Sequence, residues 1–150
     1  MAPKKSKLNV LRCTSLDGYA DLGLLIIRIG LGLMFVLYHG WPKLIGGHDE
    51  WRQTGRAVAY IGIHNGYAAW GFLVALLECG GGVCLVLGFA TRPVTMALAL
   101  EMCVAAVWSY FRHFPFGGGW SLAAYPFELA IVFLGLFFVG PGKHSIDSEL

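Results

Sequence analysis

Apolar residues fill four long runs of the chain, separated by polar or glycine-rich breaks. The runs are Leu22–Ile45, Tyr67–Phe89, Pro93–Phe111 and Leu122–Val139. Each is close to the ~20 residues a helix needs to cross a bilayer. Pro93 suits a first helical turn, where its missing N–H costs nothing, and Gly140-Pro141-Gly142 stops the fourth run. The breaks after the second and third runs are short, so sequential helices pack antiparallel. The expected fold is therefore all-α, an integral membrane four-helix bundle of up-and-down, antiparallel topology. In this division residues 1–20 form a basic cytoplasmic tail, residues 21–142 the transmembrane domain, and residues 143–150 a second cytoplasmic tail.

The longest break, Gly46–Gly66, carries Asp49, which is placed to cap a short helix running to Ile61 with Trp51, Val58 and Ile61 near one face. It reads as a cover lying at the bundle mouth or as a lid. The second outer connection, Arg112–Ser121, has aromatics that suit the headgroup belt and glycines that permit a tight turn.

Composition supports the membrane assignment. Hydrophobic residues make up 57% of the 150 and charged residues only 13%, against roughly a quarter charged in soluble domains. The net charge of +2, without a basic patch among base-stacking aromatics, excludes nucleic acid. Cys13, Cys79, Cys84 and Cys103 have neither redox-pair nor zinc spacing and read as buried free thiols. No metal site is expected. Lys4, Lys5, Lys7, Arg12, Arg92 and Lys143 fall on one side of the membrane, and Lys43, Arg52, Arg56 and Arg112 on the other. The more basic side is cytoplasmic, which puts both termini there.

The candidate chemistry lies inside the helices. Arg28, Gly32, Phe35, His39 and Lys43 are spaced by four, three, four and four, so they share one helical stripe. A stripe with three basic groups does not face lipid. Glu78, Glu101 and Glu128 sit near the middle of the second, third and fourth helices and are the expected partners. The simplest arrangement pairs Arg28 with Glu78, because a guanidinium binds a carboxylate through two parallel hydrogen bonds. Lys43 lies near the outer interface and snorkels. Three like acids in one interior do not all ionise cheaply, so at least one is expected to be protonated at neutral pH. The group could glue the bundle together, but adhesion alone needs fewer polar side chains. The alternative is a polar pocket that holds an amphipathic ligand such as a quinone. His39, Glu128 and Glu101 are its candidate proton-exchanging groups, and Arg28, Lys43, Glu78, Tyr38 and Tyr125 its candidate binding groups.

Three ordered patterns add a resemblance. Arg28-x-x-x-Gly32 leads to His39-Gly40-x-x-Lys43-Leu44. Glu78-x-x-Gly81-Gly82 leads to Gly88-x-x-Thr91-Arg92. Glu128 precedes Gly140-Pro141-Gly142-x-x-Ser145-x-Asp147. Together they span roughly residues 21–147, and on them the chain resembles the DoxX family of small four-helix membrane proteins. The resemblance implies a bundle in the cytoplasmic membrane, with Arg28, His39, Lys43, Glu78 and Glu128 as its polar centre. It also implies an association with redox systems, since the family name comes from a subunit associated with a thiosulfate:quinone oxidoreductase. Glu101 and His113 are outside the shared pattern.

The leading expectation is a membrane subunit of a redox system that binds a quinone or similar amphiphile and relays protons. It has no intrinsic cofactor, and electron transfer depends on other membrane or redox subunits. The alternative is a structural or assembly subunit of a larger membrane complex with no catalysis of its own. A small proton-coupled transporter is a third reading.

Overall fold

A computed structural model of the chain describes residues 14–114 and 117–150. The basic residues Lys4, Lys5, Lys7 and Arg12, with Cys13, lie outside the described residues. A 3-10 segment, Thr14–Tyr19, leads into α1, Ala20–Ile45. A short α2, Gly47–Gly55, runs into a second 3-10 segment, Arg56–Ile61. The remaining long helices are α3, Tyr67–Leu87, α4, Thr91–His113, and α5, Gly119–Val139. Among the described residues, the four helices α1, α3, α4 and α5 are long and apolar enough to cross a membrane. The architecture is an all-α membrane bundle. α4 and α5 pack most extensively on each other, and α1 lies along α3. The shared core includes Phe35, Leu85, Leu98, Met102, Phe133 and Leu136.

α1 is not a regular helix. Pro42 has no N–H to offer the carbonyl of Tyr38, and its ring crowds that carbonyl. The preceding turn widens into a π segment, Phe35–Gly40, closed by the Trp41 N–H on the Val36 carbonyl. Widening splits the stripe expected from the spacing. Phe35 and His39 turn to α5, where they meet Phe133 and Tyr125. Gly32, Gly40 and Lys43 turn to α3. Gly40 lies directly against the backbone of Cys79, with no room for a side chain.

The Gly46–Gly66 connection departs most from expectation. Helix α2 stops at Gly55 rather than Ile61, and Asp49 sits in its first turn without capping it. α2 does not lie flat over the bundle mouth. It continues the antiparallel track of α1 along α3, with the Trp51 carbonyl against Gly71 and Gly55 against Tyr67 and Gly71. Glycine at both positions allows this backbone-to-backbone approach.

The last residues are not a free tail. The backbone N–H of Lys143 bonds Asp21 at 3.0 Å, Ser145 is buried, and Asp147 reaches the α3–α4 turn. The start of α1 and the C-terminal segment therefore occupy the same end of the bundle. Cys79, Cys84 and Cys103 are free and half-buried.

Candidate functional site

The charged residues separate into three places. The first is near the middle of α3. Glu78 is fully buried, and its Oε1 accepts a hydrogen bond from Lys43 Nζ at 2.5 Å. The Lys43 carbonyl in turn accepts the indole N–H of Trp51 at 2.9 Å, which ties the end of α1 to α2. Lys43 therefore does not snorkel to the outer interface. It lies beside Glu78, eleven residues into α3 from Tyr67, or roughly 16 Å along that helix. The reason is the course of α2, which fills the outer part of the α3 flank that a departing chain would have left empty.

Glu101 of α4 is close enough to interact electrostatically with both Glu78 and Lys43. Among the described residues, Oε2 of Glu78 and Oε2 of Glu101 are buried without a hydrogen-bond partner. Lys43 and Glu101 line a cavity of about 500 Å³ between α2, α3 and α4. Its other walls are mostly apolar, with Val58, Val74, Leu77, Val104 and Trp108 among them. Leu73 of α3 and Leu100 of α4 also line it, and they are 53% and 61% exposed on the bundle's outer surface. The cavity thus opens sideways, between α3 and α4, towards the bilayer.

The second place is the end of the bundle that holds the C-terminal segment. Arg28 is fully buried, but it does not pair with Glu78. Its guanidinium donates to the carbonyl of His144 and lies near the Asp147 carboxylate. Asp147 accepts the N–H groups of Ala90 at 2.7 Å and Thr91 at 2.8 Å, capping α4, and its own N–H bonds the Gly88 carbonyl at 3.0 Å. Partial burial pushes the Asp147 carboxyl up. The hydrogen bonds from Thr91 and Ala90 and the nearby Arg28 charge together outweigh burial and hold it below the ordinary value of 3.8. Gly88, at φ +66°, lies against the guanidinium where a Cβ would clash. Arg28 is thereby an architectural residue in this structure.

The third place is the α1–α5 face. His39 Nε2 and the Tyr125 hydroxyl are 3.1 Å apart, and His39 stacks on Phe35. Tyr38 is 71% exposed and points outward. Glu128 is exposed too, so the expectation of three glutamates sharing one interior does not hold. The buried side of α5 carries Ala123, Pro126, Ala130 and Phe133. Glu128 lies two residues from both Pro126 and Ala130, roughly 200° round the helix from each. His113 caps its own helix end, 2.9 Å from the Ser109 carbonyl.

Of the expected site residues, the structure brings together Lys43, Glu78 and Glu101. It holds Arg28 at the opposite end, joins His39 to Tyr125, and leaves Tyr38 and Glu128 facing outward. The DoxX family profile matches residues 23–111, more than half of the chain. The chain belongs to the DoxX family. The match takes in Arg28, His39, Lys43, Glu78 and Glu101 but not Glu128. Inner membrane protein YqjF of Escherichia coli (strain K12) is 32% identical over 132 residues, which cover 87% of this chain and 93% of that protein. No solved structure matches. Two features of this DoxX protein were missed from the sequence. One is Asp147, whose capping role nothing in the local sequence signals. The other is α2 as a cavity wall, for which Trp51 and Gly55 were the available signals.

Proposed function

We propose that this DoxX protein is an inner-membrane subunit of a redox system that binds a quinone or similar amphipathic carbonyl compound between α2, α3 and α4. The observation that carries this reading is the placement of Lys43 and Glu101 in a laterally open, mostly apolar cavity, whose remaining polar lining, Glu50, Gln53 and Thr54, comes from α2. A volume of about 500 Å³ lies within the range of small-molecule sites. A mouth towards the bilayer suits a ligand that partitions into lipid. Lys43, held by Glu78, can donate a hydrogen bond to a carbonyl oxygen. Glu101 can accept or deliver a proton there. A quinone reduced by two electrons takes up two protons, and the electrons would come from a partner protein. The named relative supports the inner membrane, and the basic N-terminal residues support cytoplasmic termini.

Titrating the purified protein with a short-chain quinone tests the reading. E101Q is expected to weaken binding about tenfold, the equivalent of one lost charge-assisted hydrogen bond. Unchanged affinity in E101Q argues against the site.

A second reading, an assembly subunit, draws on Glu128. A carboxylate facing hydrocarbon near the middle of a helix costs several kcal/mol, on the order of 3, and a neighbouring protein would relieve that. Under this reading E128Q changes the amount of assembled complex and leaves quinone affinity unchanged.

A further inference from the structure

Beside the apolar cavity lies a second one, of about 550 Å³, where the 3-10 segment, the start of α3 and the end of α4 meet. Its lining includes Gln53, Arg56, Tyr60, Tyr67, Trp108 and Arg112, and no carboxylate. Arg56 and Arg112 come from different elements. Among the described residues, neither forms an ion pair. Arg112 is held by its guanidinium stacking 4.7 Å above the Trp108 ring, and Tyr60 is held by stacking 5.9 Å from Phe111. Two arginines, one of them held on a tryptophan ring, line this pocket with two tyrosines and an amide and form a set of donors without a counter-charge. Guanidinium forks match the paired oxygens of a phosphate.

Position adds to the chemistry. α3 begins and α4 ends here, at the level where a bilayer places its head groups, and Tyr and Trp favour that level. Gln53 and Trp108 line both cavities, so the basic pocket adjoins the apolar one. We propose that this rim binds a phosphate group, that of an anionic glycerophospholipid, whose chains lie at the mouth of the apolar cavity. This goes beyond the quinone reading and does not rest on it.

The test is lipid retention in nanodiscs of mixed phosphatidylglycerol and phosphatidylcholine, read by mass spectrometry of the extracted protein. Wild type is expected to retain phosphatidylglycerol over phosphatidylcholine. R56Q/R112Q is expected to lose that preference by about tenfold or more. K143Q, at the opposite end of the bundle, is expected to keep it. R112K, which retains charge, and single R56Q, on an exposed position, provide a readout if the double variant folds poorly. Both are expected to weaken retention less than the double change. No phosphatidylglycerol preference in wild type, or an equal preference in R56Q/R112Q, would overturn the proposal. Titration with inorganic phosphate separates the sources. If it binds as tightly as the lipid and depends on the same arginines, the lipid assignment falls. Quinone affinity is expected to be unchanged in R56Q/R112Q, so the two readings can fail separately.

Discussion

K43M is expected to destabilise the folded protein by on the order of 3–5 kcal/mol, the usual cost of stranding one member of a buried ion pair. Glu78 is fully buried and its Oε1 is held by Lys43 at 2.5 Å. Its other oxygen already lacks a partner among the described residues. Without the ammonium, Glu78 either stays charged in the buried interior or takes up a proton, and it loses the bond in both cases. The Lys43 backbone also anchors Trp51, so the loss is expected to loosen α2 from α3. The double variant K43M/E78Q removes both charges and is expected to recover most of the stability, since a neutral pair has no uncompensated charge to bury. Reversible unfolding in mixed micelles measures each term. Wild-type stability in K43M would show that the pair does not hold the fold.

D147N is expected to act at the other end of the bundle by a different route. The amide can cap α4 less well than the carboxylate, and it leaves the buried Arg28 without its anionic neighbour. The combined cost is expected to be about 2–4 kcal/mol, a charge-assisted cap together with part of a buried-charge penalty. The pH dependence has a definite sign. Because the folded carboxyl titrates below its ordinary value of 3.8, its contribution is complete above that value. It is lost as pH falls through the lowered folded value. Melting midpoints followed from pH 7 to below the lowered folded value are expected to fall below pH 3.8 in wild type and to fall less steeply there in D147N. Parallel curves would contradict the assigned role. Local proteolysis gives a second readout, since the segment after Gly140 is expected to become the first cleavage site in D147N.

The helices were readable because each is an apolar run bounded by glycine or proline. Their ends shift by two or three residues, as at Thr91 and Gly119, because the first turns include polar and small residues that the apolar runs omit. The site was less readable, for reasons of phase and depth. Counting fours and threes along Arg28–Lys43 assumes a uniform helix, and the π segment before Pro42 breaks that assumption. Placing Lys43 by its offset along α1 assumes that the chain leaves the membrane after Ile45. Whether it does depends on the fit of Gly55 to Tyr67 and of Trp51 to Gly71, contacts between segments that no local pattern encodes. Acidity and a mid-helix position alone point Glu128 inward. The small residues Ala123 and Ala130, with Phe133, mark the opposite side as the packed one, and that signal was present in the chain.

These differences move the candidate chemistry from His39 and Glu128 to Lys43, Glu78 and Glu101. His39 keeps a titratable ring, but its partner is Tyr125 on an outward face rather than an acid in a cavity. Arg28, whose position suggests half of a central ion pair, instead fastens the C-terminal segment. The protein thus divides its buried charge between a fold lock at one end and a polar centre near mid-bundle.

The most direct measurement is photolabelling with an azidoquinone in proteoliposomes, followed by peptide mapping. The predicted result is label on the cavity walls, between Trp70 and Leu77 of α3 and between Leu100 and Trp108 of α4, reduced in E101Q. Label concentrated on the α1–α5 face around His39, Tyr125 and Glu128, or spread evenly over the outer surface, would contradict the assignment of the cavity as the ligand site.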